Sequence, residues 1–406
     1  MRNFIYIISE YNPPHKGHAY LISEARSLFP DSVVIAITSG HFTERGSPAV
    51  TDKFTRAHAA IEIGCDLVLS LPFPFSAASA ENFARGGVHI AAEFARAFPD
   101  ANHALVFGSE CGDTDALRLA ADRVSSEEFR TRLYERSRGG HNAREMQALY
   151  TEMYGVDDAR IMDGANDALG IEYIRAISGE GDAPIDPHAV RRIGAAHDDV
   201  CPDGEVGYAS ASAIRSMISR GEPESANAFV TSAAWGIVTE SLQKHGVADE
   251  ERMGAAILTL LRMMTPEYAD SIAECGGGVG RRLLSASLES GSYGEMLSRS
   301  ATKQYTNARL RRAALFASLG VDSSAFDVLP QYTQLLAANS VGISVLHDYD
   351  GTLPVLTKFA DGYKLPDAAQ IQLSLESRAD RLYTLAFDPA LSADTFLKMS
   401  PWIEKK

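Results

Sequence analysis

The sequence predicts an α/β protein, a doubly wound parallel sheet followed by a mainly helical C-terminal domain. Three observations carry this. Short apolar runs alternate with amphipathic stretches through the first half of the chain, the pattern of strands joined by crossover helices. Each run ends in a turn, a glycine or polar residues, so polar strand ends gather on one side of a sheet, where ligands bind. From about Gly221-Glu222-Pro223 the strand-like runs give way to helical ones. The chain therefore divides into residues 1–221 and 222–406.

The elements follow in order. Phe4-Ile5-Tyr6-Ile7-Ile8 reads as a buried first strand. Asn12-Pro13-Pro14 breaks it, because proline has no N–H and the residue before it avoids the helical region. Ala19 to Phe29 reads as a helix, with Leu21, Ile22, Ala25, Leu28 and Phe29 on its apolar face. Val33 to Ile37, Leu67 to Leu71 and Ala104 to Phe107 read as further strands, with helices over Arg56 to Ile63 and Asn82 to Phe98. Met253 to Met264, Val279 to Leu288 and Asn307 to Leu319 are the helical runs of the second half. From Asp348 onward, short apolar runs mixed with Gly and Pro suggest a small subdomain.

With 45% hydrophobic and 22% charged residues in a chain of 406, the composition is that of an ordinary globular protein. No stretch approaches the ~20 apolar residues that span a membrane, and the first residues do not read as a signal peptide. A cytoplasmic location is expected, with neither a membrane nor DNA as partner. Cys65, Cys111, Cys201 and Cys275 are widely separated, so neither a zinc site nor a disulfide framework is expected. The net charge of −15 argues against indiscriminate binding of nucleic acid.

Two motifs point to chemistry. His15-Lys16-Gly17-His18 sits where the first strand gives way to a helix. The unpaired N–H groups and dipole of a helix N-terminus favour a phosphate there. Imidazole N–H groups at that place can stabilise charge on a phosphoryl group, and Gly17 lets a nucleotide approach the backbone. Ser210-Ala211-Ser212-Ala213-Ile214-Arg215 is the second piece. Serines at a helix start can cap it and donate to phosphate, and an arginine one turn on can clamp the outer phosphates. His41, after Ser39-Gly40, is a candidate to line the same crevice, and Lys53 with Arg56 can reach phosphate or carboxylate. Asp52, Asp163 and Asp167 are candidates for Mg²⁺ on a nucleotide, against an ordinary capping or surface role. The remaining histidines show no metal-ligand spacing, and no protein-bound metal is expected.

These boxes together resemble the nucleotidyltransferase superfamily with an H-x-G-H box, and further motifs narrow the likeness. Glu10-Tyr11-Asn12-Pro13, Ser39-Gly40-His41-Phe42, Arg45-Gly46-Ser47-Pro48-Ala49, Phe107-Gly108-Ser109-Glu110, Asn166-Asp167-Ala168-Leu169-Gly170-Ile171-Glu172-Tyr173 and Arg192-Ile193-Gly194-Ala195 look like the tRNA(Met) cytidine acetate ligases. So does Thr302-Lys303-Gln304-Tyr305-Thr306-Asn307-Ala308-Arg309-Leu310-Arg311-Arg312. The likeness covers most of residues 1–320 and fades after Gly320. Pro14 stands where the family usually has an aromatic residue, Lys16 where asparagine is common, and Phe54 where tryptophan is usual.

The resemblance implies a nucleotidyltransferase-type sheet and a ligase with two half-reactions: acetyl-adenylate is made from acetate and ATP, then the wobble cytidine of elongator tRNA(Met) is acetylated. It places ATP, with Mg²⁺ and no tightly bound cofactor, on Ile7, Ile8, Ser9, Glu10, Tyr11, Asn12, Pro13, Pro14, His15, Lys16, Gly17, His18, Ala19 and Tyr20, and on Gly108, Asn166 and Arg192, with Arg191 the alternative to the last. Catalytic roles fall to His15, His18, Lys53, Ser212 and Arg215, and Lys16 would add positive charge near the phosphates. The basic cluster Lys303, Arg309, Arg311 and Arg312, with Tyr305 among them, would hold tRNA by phosphate contacts and base stacking. Two other readings remain open: an adenylyltransferase acting on a small phosphorylated cofactor precursor, and a non-catalytic protein that binds RNA or nucleotide.

Overall fold

The computed structural model describes residues 2–137, 143–193, 207–302 and 305–405. Its centre is a sheet of eight strands: β1 (Asn3–Ser9), β2 (Ser32–Ser39), β3 (Leu67–Leu71), β4 (Asn102–Ser109), β5 (Ile185–Arg191), β6 (Thr333–Ala338), β7 (Val355–Leu356) and β8 (Trp402–Ile403). They lie in the order β5-β4-β1-β2-β3-β6-β7, with β8 also paired to β6. The first five are mutually parallel, with β1 flanked by β2 and β4. Such a sheet needs crossover helices on both faces. Early examples are α1 (Lys16–Leu28), α2 (Lys53–Glu62) and α3 (Ala80–Ala97).

The strands read as near-continuous apolar runs because both of their faces are buried. Phe4, Tyr6 and Ile8 of β1 point into one core, with Val33, Ile35 and Ile37 of β2. Ile5 and Ile7 point into the other, with Val34 and Ala36. This is the two-residue pleat period of a strand covered on each side. The four strands and the helices expected from the sequence are all present, each within a few residues of its expected ends.

Four strands, β5 to β8, lie beyond those expected, and β5 and β6 show why. β5 carries Asp186, Pro187 and His188 and so hides its apolar period. As the edge strand it tolerates the proline. β6 reads Thr-Gln-Leu-Leu-Ala-Ala, all buried, and pairs antiparallel with β3. The division at 221 therefore marks a change to helices, running from Ser232–His245 through Asn307–Leu319, but not the end of the sheet. The chain past 332 returns to extend it through β6, β7 and β8. Between those strands lies the helix Asp367–Tyr383, whose buried Glu376 and Asp380 face the loop after β2 and the start of α2.

Candidate active site

β1 and β4 are neighbours from which the chain winds in opposite directions, and the crevice beyond their carboxyl ends is where ligands bind in such sheets. His15 is the N-cap of α1. Its Nδ1 accepts the backbone N–H of Gly17 at 3.1 Å, and Nδ1 of His18 accepts the backbone N–H of His15 at 3.2 Å. The two imidazoles thus form a reciprocal capping box, a role usually taken by Ser or Thr with Glu. Their ring centres lie 3.8 Å apart. Gly17 has a physical reason beyond access for a nucleotide: a Cβ there would sit 2.9 Å from Cε1 of His15.

This arrangement sets the tautomers. With both Nδ1 atoms accepting, each neutral ring carries its proton on Nε2 and presents it as a donor. Burial pushes the His15 imidazole down to about 3, helped by Arg192 and Arg215. Burial also lowers His18 well below the ordinary value, with His15 and Arg192 adding to it. At neutral pH the pair is therefore two uncharged N–H donors.

Two arginines act on His15, of which Arg192 lines the cleft beside the histidines and Arg215 does not. Nη1 of Arg192, after β5, donates to Oδ1 of Asn166 at 3.0 Å. Asn166 in turn gives its amide Nδ2 to Glu110 at 2.6 Å. Glu110 caps the start of the helix Ala165–Gly179, taking the backbone N–H groups of Asn166 and Asp167. Arg215 donates to the Asn12 carbonyl at 2.8 Å and to Oγ of Ser212 at 3.1 Å. That ties the helix Ala211–Ser219, capped by Ser210, to the loop that leads into His15.

A cleft opens beside the histidines. Of the residues expected to hold a nucleotide, Ile8, Ser9, His15, Gly17, His18, Tyr20, Gly108, Asn166 and Arg192 line it, and Arg191 does so as well. Ile7, Glu10, Tyr11, Asn12, Pro13, Pro14, Lys16 and Ala19 shape or flank it without lining it. Leu21, Phe107, Leu169, Tyr173, Val190 and Ile193 were not anticipated as lining residues. Asn166, Leu169 and Tyr173 lie at i, i+3 and i+7 on one helix, and that spacing was the signal available.

Several expected residues are engaged elsewhere. The Lys53 ammonium is buried between Oε1 of Glu376 at 2.7 Å and Oδ2 of Asp380 at 3.1 Å. Burial alone would lower its pKa, but Asp380 and Glu376 outweigh that and raise it. The catalytic expectation for Lys53 is corrected to a strut that ties α2 to the helix Asp367–Tyr383. His41 belongs to the same strut, with Nδ1 2.6 Å from Asp380. Arg56 is buried too, donating to the carbonyls of Glu10, Ser39, Gly40 and Thr51. Lys16 donates to the Ala228 carbonyl at 2.6 Å, so its charge is spent on a chain crossing. Asp52 caps α2, Asp167 takes Ser109 and the backbone N–H of Glu110, and Asp163 takes Gln147.

The basic cluster is also compensated. Arg311 pairs with Glu250 at 2.8 Å, and Arg312 with Glu274 at 3.0 Å. Arg309 donates to the Gly276 carbonyl and lies 3.7 Å from Glu274, while Tyr305 donates to the Gly277 carbonyl. Lys303 lies outside the described residues.

The family model described as HIGH Nucleotidyl Transferase matches residues 2–396. A tRNA(Met) cytidine acetate ligase of Syntrophotalea carbinolica is 31% identical, with 93% of each chain covered. The chain belongs to the tRNA(Met) cytidine acetate ligase family. The ligase of Acetivibrio thermocellus is 30% identical over 94% of each chain. The crystal structure of Thermotoga maritima TmcAL bound with alpha-thio ATP matches with a TM-score of 0.87 at 26% identity, over 99% of both chains. The likeness to this family therefore does not stop near 320, as the fading motifs suggested; it includes the segment that returns to the sheet.

Proposed function

We propose that this protein is an ATP-dependent tRNA(Met) cytidine acetate ligase. It activates acetate as acetyl-adenylate, then acetylates the exocyclic amine of the wobble cytidine in elongator tRNA(Met). The observation that carries the reading is the pair of neutral imidazoles at the N-terminus of α1, each with Nδ1 taken by a backbone N–H and both lining the cleft.

In the first half-reaction a carboxylate oxygen of acetate attacks the α-phosphorus of ATP. The bond to the bridging oxygen breaks and pyrophosphate leaves. Nε2–H of His15 and of His18 donates to the non-bridging oxygens as charge builds on them, together with the helix terminus. Ser212 and Arg215 hold the departing pyrophosphate. Arg192, aligned by Asn166, lines the cleft beside Gly108, where it can hold the nucleotide. Among the described residues no group of three His, Cys, Asp or Glu side chains could hold a metal ion. Mg²⁺ brought in with ATP would offset the phosphate charge, and one or two carboxylates would suffice to hold it.

In the second half-reaction the cytidine amine takes the acetyl group and AMP leaves. A wobble base is accessible without opening a duplex. The helical segment with Tyr305 and Arg309 is the reading's tRNA contact, with affinity that falls as salt rises. A tRNA substrate implies action in the cytoplasm, and no helix among the described residues is long and apolar enough to cross a membrane.

ATP–pyrophosphate exchange tests the first step. Exchange that depends on acetate is expected. Exchange that depends instead on a phosphorylated small molecule would favour a cofactor adenylyltransferase, and ATP binding without exchange would favour a non-catalytic protein.

A further inference from the structure

We propose that Glu110 is a positioning residue for the nucleotide: it fixes Asn166 and, through Asn166, the guanidinium of Arg192. The inference deepens the reading of the cleft as an ATP site and rests on it. Arg192 lines the cleft, but it is exposed just past the end of β5. Its backbone N–H is held by the Ser109 carbonyl at 2.9 Å. Its stem lies across Gly108, where a Cβ would stand 3.3 Å from Cγ of Arg192. The guanidinium beyond needs an anchor, because an exposed arginine loses rotamer freedom when it closes on an anion. Among the described residues, Oδ1 of Asn166 at 3.0 Å is what holds it. Part of that freedom is then lost before the nucleotide arrives.

Oδ1 can face Arg192 only when the amide points the right way. A guanidinium only donates and a carboxylate only accepts, so an amide placed between the two has one orientation. Glu110 supplies the carboxylate. Its Oε1 takes Nδ2 of Asn166 at 2.6 Å and the Asn166 backbone N–H at 3.3 Å. Its Oε2 takes the Asp167 N–H at 2.8 Å.

Asp167 answers in the other direction. Its carboxylate accepts the backbone N–H groups of Glu110 at 2.9 Å and of Cys111 at 3.1 Å. Two carboxylates thus clamp the loop after β4 to the start of the helix Ala165–Gly179. Gly164 makes room for this clamp, since a Cβ there would lie 2.6 Å from Oε2 of Glu110. Phe107-Gly108-Ser109-Glu110 and Asn166-Asp167, far apart in the chain, are therefore two halves of one device. Glu110 does not itself line the cleft. Its effect on the nucleotide has to pass through Asn166 and Arg192.

The test is a double-mutant cycle on the full chain. ATP affinity, by calorimetry, and urea unfolding are measured for wild type, Glu110→Ala, Arg192→Met and the double variant. Glu110→Ala is expected to weaken ATP binding by about 10-fold, the scale of one hydrogen bond to a charged group. In the Arg192→Met background the same change should cost less than about 2-fold. Loss of helix capping would lower the urea midpoint alike in both backgrounds, so a purely structural role does not produce that difference. Gly164→Ala, at φ −78° and ψ 126° where alanine is at ease, should weaken ATP binding by displacing the same carboxylate. Equal losses of affinity in the two backgrounds would overturn the proposal, as would wild-type affinity in Glu110→Ala. Wild-type protein that binds no ATP would overturn it together with the reading of the cleft, whereas ATP binding with additive losses overturns the positioning role alone.

Discussion

Replacing Lys53 with methionine should cost stability and not chemistry, and the size of that cost follows from its partners. The ammonium is 1% exposed and lies within 3.1 Å of two carboxylates that are themselves at most 4% exposed. Oε2 of Glu376 also accepts the backbone N–H of Phe73 at 2.6 Å, and Asp380 holds His41. Asp380 shows the balance: burial would raise its pKa, but Lys53 and His41 together hold it below the ordinary value. Removing the cation leaves two buried carboxylates without their counter-charge, a change that costs about 3–5 kcal/mol. Removing all three charges in Lys53→Met/Glu376→Gln/Asp380→Asn should restore most of that, because the amides still accept from Phe73 and His41. Urea unfolding followed by the fluorescence of Trp235 and Trp402 reads both variants. A single variant that loses less than about 1 kcal/mol would refute the strut. So would a triple variant that folds as stably as wild type yet makes no adenylate, since Lys53 would then be catalytic after all.

Other outcomes follow from the site. His15→Ala or His18→Ala should each lower acetate-dependent exchange by ~10²–10³-fold, the usual effect of removing one preorganised donor; unchanged exchange would remove their role. Because burial holds folded His15 at about 3 against 6.5 for an ordinary histidine, the unfolded chain takes up a proton there first as pH falls. Its contribution to stability is complete above pH 6.5 and is lost as pH falls from 6.5 toward 3, by up to ~1.4 kcal/mol per unit. His15→Gln should flatten that limb in pH-dependent unfolding, and an unaltered slope would contradict the neutral assignment. Gly46→Ala should destabilise by more than ~1 kcal/mol, since its φ is +76° and a Cβ would lie 2.6 Å from the Arg312 backbone nitrogen; a neutral effect in urea unfolding would mean the loop adjusts.

The parallel core was legible because strands buried on both faces are written as apolar runs, and the H-x-G-H box because proline and glycine punctuate it. What stayed hidden was whatever long-range pairing decides. Lys53 looks like a phosphate ligand until Glu376 and Asp380 arrive from more than three hundred residues away. Arg311 and Arg312 look like a nucleic-acid surface until Glu250 and Glu274 neutralise them. β6 opens on buried Thr333 and Gln334, which break its apolar run, and its place beside β3 depends on a chain that leaves the sheet and returns. The histidine tautomers likewise depend on backbone N–H directions that no residue pattern states.

The most direct test of the account is the fate of labelled acetate. Wild-type protein is incubated with ATP, Mg²⁺, labelled acetate and unmodified elongator tRNA(Met), and the tRNA is digested to nucleosides. Label in N4-acetylcytidine, dependent on ATP and lost in the His15 and His18 variants, is the predicted result. Adenylate formed without label in cytidine would contradict the assignment of the acceptor, whatever the fold and the histidine pair suggest.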